Sequence, residues 1–471
     1  MKLYNTLSRQ IDELKPINKP EVSIYTCGPT VYDYPHIGNW FTFIRYDLLV
    51  RSLKAHNYKT KWVLNITDVG HLVSDADQGE DKLVKKALKE NKDAYAIAKL
   101  YTDYFISGLS RLNILKPDFM PKATDHIQEQ IDFIKVLEEK GLTYKISDGI
   151  YFDVAKFPQY IKLARLNLED QVDGARVEVN PEKHRQIDFA LWKFSPSSGK
   201  RDMEWDSPWG KGFPGWHIEC SAMALKYLGP TMDIHAGGID HIPVHHTNEI
   251  AQSEAANGQP LANIWFHTSH LSIDGSKISK SLDNGINLED IESRNISLDA
   301  FRLLVIQSNY INQSQFTFEL LSGAQSSLKN LIRDFSWIYS GVKTNNENKQ
   351  LRTNIARTKR SMLDFMADNL NTPRALSALH ELASYVSNLN QISDDDILVI
   401  EKFNIFVNEL FGINIVKKIS LTNDQKILIS DRKNYRLDKN WDKADESRKI
   451  LEEQGIGLRD VGEASLWFPL D

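Results

Sequence analysis

The sequence predicts an α/β fold: a Rossmann-type, doubly wound parallel sheet split by an insertion, then an α-helical bundle and a small C-terminal domain. Three observations predict it. First, Val22 to Thr26 alternates apolar and polar residues. From Asn39 onward, Phe41, Ile44 and Leu48 share one helical face, and Lys61 to Leu64 again reads as a strand. Strand, helix and strand in that order form a βαβ unit. Second, the rhythm resumes far downstream: a helix from Pro214, a strand from Met232 to Ala236, a Gly-Gly turn, a helix from Pro243 and a strand from Ile264 to His267. Third, beyond Asp299 the pattern is helical as far as Gly412.

These elements imply four parts. Residues 1–114 and 212–298 make the sheet and a lysine-bearing segment after it. Residues 115–211 are an insertion of mixed helix (His126 to Lys140) and strand. Residues 299–412 form the bundle, and residues 413–471 a final unit with a charged helix from Asp424 to Gln454. Two polar stretches, Ser195 to Arg201 and Lys343 to Gln350, read as loops. A length of 471 residues suits several domains. With 41% hydrophobic and 25% charged residues, a sizeable core is available and disorder is not indicated.

No apolar run approaches the roughly 18 residues of a membrane span, and Met1 to Gln10 has no apolar signal-peptide core. Cys27 and Cys220, the only cysteines, do not suit a secreted disulfide scaffold. A cytoplasmic enzyme without membrane attachment is therefore expected. It is expected to be a monomer, since no heptad seam appears. The net charge of −6 gives no broad basic face for nucleic acid, although a local one is compatible with it.

Two short segments carry phosphate chemistry. His36-Ile37-Gly38-Asn39 follows a strand and opens a helix, whose free N–H groups and dipole suit an anion. Gly38 admits close approach to the backbone, and His36 can donate to a phosphate oxygen. Lys277-Ile278-Ser279-Lys280-Ser281 places two lysines three apart in a glycine-flanked loop able to close over a polyphosphate.

Together, these two segments resemble the paired signatures of class I aminoacyl-tRNA synthetases. Tyr25-Thr-Cys-Gly-Pro-Thr-Val-Tyr-Asp33, Asn65-Ile-Thr-Asp68, Gly215-Trp-His-Ile-Glu-Cys-Ser-Ala-Met223 and His245-His-Thr-Asn-Glu-Ile-Ala-Gln252 are similar to cysteinyl-tRNA synthetases in particular. The likeness runs from Asn5 to Trp467. Three positions depart from the family pattern. Asn39 stands where histidine is usual, Ile278 where methionine is, and Asp299-Ala300-Phe301-Arg302 where the family has Asp-Ala-Leu-Arg.

The resemblance implies one Zn2+ per chain, held by Cys27, Cys220, His245 and Glu249. The last two stand four apart on a helix and so share a face. Zinc favours a soft thiolate over a hydroxyl, which would separate cysteine from serine without an editing domain. Thr67, Trp216 and His235 fall on substrate-pocket positions. His36, Gly38, Asn39, Asp240 and Lys280 fall on ATP-binding positions, with ATP entering as its Mg2+ complex. His36, Lys277 and Lys280 would stabilise charge during adenylate formation. Arg436, Trp441, Asp445 and Asp460 fall on the anticodon-recognition domain of the family. The residues alone assign no role to His217, His241, His246, His267 or His270.

The implied reaction is ATP-dependent activation of L-cysteine, followed by transfer to tRNA(Cys). Two other readings share part of the pattern: a ligase joining cysteine to a small amine, and a non-catalytic RNA-binding paralogue. The long helical and C-terminal regions argue against the first. The intact His36, Lys277, Lys280 and candidate metal ligands argue against the second.

Overall fold

The computed structural model describes residues 1–70, 82–165, 180–195, 201–273, 276–277, 285–462 and 464–470. The chain divides into two compact units, Met1–Leu288 with Tyr310–Gln315 and Glu289–Asn309 with Phe316–Asp471.

The first unit opens with an antiparallel hairpin, β1 (Lys2–Asn5) and β2 (Gln10–Glu13). Its centre is a parallel sheet of β3 (Glu21–Thr26), β4 (Lys59–Leu64), β9 (Met232–Gly238) and β10 (Ala262–Thr268), in the order β10-β9-β3-β4. β3 therefore pairs with one strand from its own βαβ unit and one from the downstream half. This is the switch point at which an open α/β sheet leaves a crevice beyond its strand ends.

Helix α1 (Ile37–Ala55) links β3 to β4 and is buried on nearly every face. Helices α2 (Lys82–Glu90) and α3 (Ala94–Arg111) follow, and α3 stacks Phe105 on Trp40 of α1 at 5.4 Å. A helix covered from both sides needs apolar residues all round, which is why Phe41, Ile44 and Leu48 mark only part of its buried surface. Inside α1, Asp47 and Arg51 form a buried pair at 2.7 Å. Arg51 also donates to the Asn113 carbonyl at 2.6 Å, and Asp47 accepts from the Leu115 N–H at 2.8 Å. The pair thus fastens the chain where it enters the insertion.

The insertion holds α4 (Ile127–Glu139) and an antiparallel sheet of β5 (Thr143–Ile146), β6 (Gly149–Phe152), β7 (Phe189–Phe194) and β8 (Gly212–Pro214). Its core residues Ile134, Leu137, Phe152, Leu191 and Trp192 pack in one cluster with Ile218 and Ala222. The last two lie on α5 (Trp216–Leu228). The helix expected from Pro214 thus begins two residues later, because Pro214 closes a strand. Gly215 makes the turn, where a Cβ would come within 2.0 Å of the Ala190 carbonyl. Helix α6 (His245–Asn257) joins β9 to β10, and β11 (Leu271–Ile273) pairs with the two-residue β12 (Ser276–Lys277).

The second unit contains α7 (Leu298–Ile306), α8 (Phe318–Ser336), α9 (Lys349–Ala367), α10 (Thr372–Ser387) and α11 (Asp394–Phe411). Each starts at a capping side chain, Ser297, Thr317, Asn348, Asn371 and Ser393 respectively. The charged helix expected from Asp424 to Gln454 is two helices, α12 (Asn423–Leu437) and α13 (Trp441–Glu453). Lys439, at φ +57°, turns the chain between them, and Asn440 caps the second. A hairpin, β13 (Ile456–Val461) with β14 (Ala464–Pro469), ends the unit. Leu451, Ile456 and Leu458 make a small core of their own. The Ser340 hydroxyl also bonds both the carbonyl and the N–H of Trp467, each at 2.9 Å, tying the hairpin to the bundle.

Removing one partner of a buried ion pair strands the other charge. Asp47→Ala should therefore cost the first unit about 3–5 kcal/mol, read as a shift in its urea unfolding transition.

Candidate active site

A cavity of about 400 Å³ lies beyond the C-terminal ends of β3 and β9. Its wall includes the turn after β3 (Cys27, Gly28), the start of α1 (His36, Asn39) and the turn after β9 (Gly238, Asp240). Thr67, Trp216, Cys220, His241 and His245 complete one side. Eight of the sequence-predicted residues thus meet at one place, although they come from segments more than two hundred positions apart.

At one end, His36 caps α1. Its Nδ1 accepts from the Asn39 N–H at 3.3 Å, and the Asn39 Oδ1 accepts from the His36 N–H at 3.1 Å. This reciprocal box satisfies two orphan donors of the helix start. It also gives Asn39 a structural task that an amide performs well. Because Nδ1 is an acceptor here, Nε2 carries the ring proton of neutral His36. Gly28 sits where the chain turns into the cavity. A Cβ there would meet the Asn65 carbonyl oxygen at 1.6 Å, while its N–H donates to Asn65 Oδ1 at 2.9 Å. The Asn65 Nδ2 in turn donates to Thr67 Oγ1 at 3.1 Å, setting that hydroxyl on the cavity wall.

The other end is built on α6, whose first two turns are polar yet buried: His245, His246, Thr247, Asn248 and Glu249. Groups of this kind are withdrawn from water only when they are paired. Glu249 Oε2 meets His235 Nε2 at 2.8 Å, and Oε1 meets His245 Nε2 at 3.0 Å. The Cys27 thiol lies 3.8 Å from Glu249 Oε1 and 3.3 Å from His246 Nε2. A chain of histidines continues outward, from His246 Nδ1 to His267 Nε2 at 2.7 Å and from His267 Nδ1 to Thr6 Oγ1 at 2.8 Å. On the other side, His217 Nδ1 and His245 Nδ1 stand 2.9 Å apart.

The electrostatics follow from this packing. Burial would raise the Glu249 carboxyl, but His235 and His245 hold it well below the usual range. Burial disfavours protonation of His245, and the Glu249 charge and the Cys220 sulfur override it, lifting the imidazole to about 10. A hydrogen bond from Cys27 brings Cys220 down to about 7, and burial pushes Cys27 up. Burial holds His241 down to about 4.

Cys27, Cys220, His245 and Glu249 offer four donor atoms within 4.8 Å of one another. Tetrahedral ligands bonded at about 2.0–2.3 Å stand roughly 3.3–3.8 Å apart, so a modest contraction of these side chains would close the set on a single metal. A second set, Cys27, His235, His246 and Glu249, shares two members with it. The first set faces the cavity through Cys27, Cys220 and His245. His235 and His246 are wholly buried, and His235 lies behind Glu249, stacked on Trp265 at 4.7 Å. Trp216 is half-buried, its ring 4.5 Å from that of His245.

Lys280 lies outside the described residues, and Lys277 is described only as the end of β12. The anticodon candidates all fall on the second unit. Trp441 is 58% exposed and Asp445 is exposed. Asp460 accepts from Arg432 at 2.7 and 2.8 Å and forms an ion pair with Arg436 at 2.9 Å. Residue-by-residue reading of the sequence left His246, His267 and His217 without partners. The signal was present in α6, a helix with no apolar stripe between two strands that are themselves apolar.

Known proteins resemble this chain along its whole length. A family model described as the class I (C) tRNA synthetase catalytic domain matches residues 13–326. A cysteine–tRNA ligase of Treponema denticola is 40% identical over 100% of both chains. Another, from Burkholderia lata, is 40% identical over 99% of this chain and 96% of its own. A third, from Methanococcus maripaludis, is 37% identical over 98% and 97%. Among solved structures, methionyl-tRNA synthetase of Mycobacterium tuberculosis with methionyl-adenylate superposes with a TM-score of 0.57 at 14% identity, covering 83% of this chain and 92% of that one. A putative arginyl-tRNA synthetase of Campylobacter jejuni superposes with a TM-score of 0.52 at 14% identity, covering 86% and 96%. At such identities these two likenesses speak to fold.

A hydroxyl is a poor substitute for thiolate at a soft metal. Cys220→Ser should therefore lose most of the metal that co-purifies with the native chain, measured per chain by mass spectrometry of the digested protein.

Proposed function

The chain belongs to the cysteine–tRNA ligase family of class I synthetases, and from that premise we propose that both small substrates meet in the cavity between α1 and the buried cluster. The enzyme activates L-cysteine with ATP to cysteinyl-adenylate and transfers the cysteinyl group to tRNA. One observation carries the assignment of the site: a single cavity joins a capped helix start suited to phosphate with a thiol-rich cluster suited to a soft metal.

The nucleotide occupies the α1 end. His36 Nε2–H donates to a phosphate oxygen, the α1 backbone at Gly38 lets the phosphates approach, and Asp240 accepts from a ribose hydroxyl. Asn39 serves this end through its cap on α1. ATP arrives with Mg2+, and Lys277 and Lys280 neutralise charge that builds on the phosphates as the carboxylate attacks.

Cysteine occupies the other end, between Thr67 and Trp216, with His235 holding Glu249 in place behind it. Cys27, Cys220, His245 and Glu249 are the ligands we assign to one zinc. Zinc held there would supply a soft Lewis acid for the substrate thiol, which a serine hydroxyl cannot match. His235, which is not a ligand of this set, pairs with the other Glu249 oxygen and favours its ionised form.

We assign the anticodon to residues 413–471. Exposed Trp441 offers a stacking surface and Asp445 an acceptor, while Asp460 orients Arg436 towards a base edge. In the same four-part scheme, residues 1–114 and 212–298 carry the chemistry, residues 115–211 are the insertion and residues 299–412 the bundle. We place the enzyme in the cytoplasm as a monomer. Among the described residues no helix is long and apolar enough to cross a membrane, and Cys27 and Cys220 form no disulfide.

ATP–pyrophosphate exchange should be strong with cysteine and barely detectable with serine; comparable exchange with both would remove the metal–thiolate basis of selection. Lys280→Ala should slow exchange more than about a hundredfold, the scale of losing one oriented donor in the transition state, while metal content stays unchanged.

A further inference from the structure

The Tyr34 side chain stands on the cavity wall, two residues before His36, and is 45% exposed. An open aromatic ring on the wall of a reaction cavity can stack with a planar ligand that enters it. The ring is also not loose. It meets Tyr101 edge-to-face at 4.9 Å and Tyr104 at 4.6 Å, both from α3. Tyr101 is itself held by its hydroxyl, which donates to Glu90 Oε1 at 2.9 Å. The backbone N–H of Tyr34 donates to Asp33 Oδ1 at 3.0 Å, and the same carboxylate oxygen pairs with Lys86 Nζ at 3.2 Å. Lys86 lies 5.5 Å from the centre of the Tyr101 ring. The result is an open, pre-set aromatic surface, supported from behind by Lys86, which is ion-paired to Asp33 at 3.2 Å and Glu90 at 3.5 Å.

That combination fits an unpaired nucleobase. A base stacks on an aromatic ring whatever its sequence. A ring already clamped by two neighbours has little rotamer freedom to lose on binding. The transfer step brings a suitable base to this place. The terminal ribose hydroxyl of the tRNA must reach the adenylate carbonyl inside the cavity, so the terminal base must rest at or near its wall.

We propose that Tyr34, clamped by Tyr101 and Tyr104, is the stacking platform for the terminal nucleobase of the tRNA acceptor end. The inference rests on tRNA as the acceptor.

The test uses the full-length, metal-loaded enzyme and compares exchange with charging. Tyr34→Ala should lower kcat/KM for tRNA charging about tenfold more than it lowers pyrophosphate exchange, the range of one lost base–aromatic stack. Tyr34→Phe should keep both rates. A tRNA carrying 2-aminopurine at its terminal position should lose fluorescence on binding the native enzyme and Tyr34→Phe, but not Tyr34→Ala. If Tyr34→Ala instead raised the KM for ATP in exchange as much as it weakened charging, the ring would serve the adenine of ATP and the proposal would fall. Unchanged charging, or equal quenching by all three proteins, would also overturn it. Failure of the native enzyme to charge tRNA at all would refute the acceptor assignment, a result distinct from these.

Discussion

The Glu249 carboxylate is fully buried, with one oxygen against His235 and the other against His245. Taking such a charge out of water costs several kcal/mol unless its surroundings answer it. Much of the first unit can be understood as that answer. Helix α6 is polar where a helix between two strands would ordinarily be apolar. β9 carries a histidine in its buried interior. Cys27 and Cys220 approach from two other elements to complete the cluster. His246, His267 and Thr6 extend the hydrogen-bonded chain to the first strand and its turn. Each of these polar groups would be destabilising alone; together they satisfy one another.

The sheet order explains why the cluster and the phosphate end share a cavity. At the switch point, β3 and β9 lie side by side while their following helices depart in different directions, so the space beyond their ends stays open. The turn after β3 supplies Cys27 and leads to His36. The turn after β9 supplies Asp240 and leads to His245. Neither half of the sheet contains a complete site. The insertion separates the halves in sequence without separating them in space, since its core is continuous with α5 and its entry is fastened by Asp47 and Arg51.

Elements with a strong local signal were legible in the sequence. β3, α1, β4 and the downstream strands show their periodicity within a few residues, and the structure extends them by only one to three positions. The start of α5 was misjudged because Pro214 favours a helix start as readily as it ends a strand, and only the approach of the Ala190 carbonyl decides between them. The break between α12 and α13 was hidden because charged residues at helical spacing continue straight through it. Cys27, Cys220, His245 and Glu249 were identified through family likeness, and the structure gathers their donor atoms. The pairings of His235, His246 and His267 depend on strands distant in sequence, and no local pattern reports them. Asp460 illustrates the same limit: its ion pairs with Arg432 and Arg436 join the final hairpin to α12, and no local pattern reports them.

Cys27 and Glu249 stand 222 positions apart, and that distance has a consequence for the newborn protein. At about 5–20 residues per second, a ribosome needs roughly ten to forty-five seconds to make the segment between them. Throughout that interval the cluster lacks at least one member, and no ion can be held by the full donor set. The full donor set therefore first exists when the chain is about half made, and metal loading cannot precede that point. The sheet half that emerges first must wait, with its β3 edge unpaired, for the half that completes it.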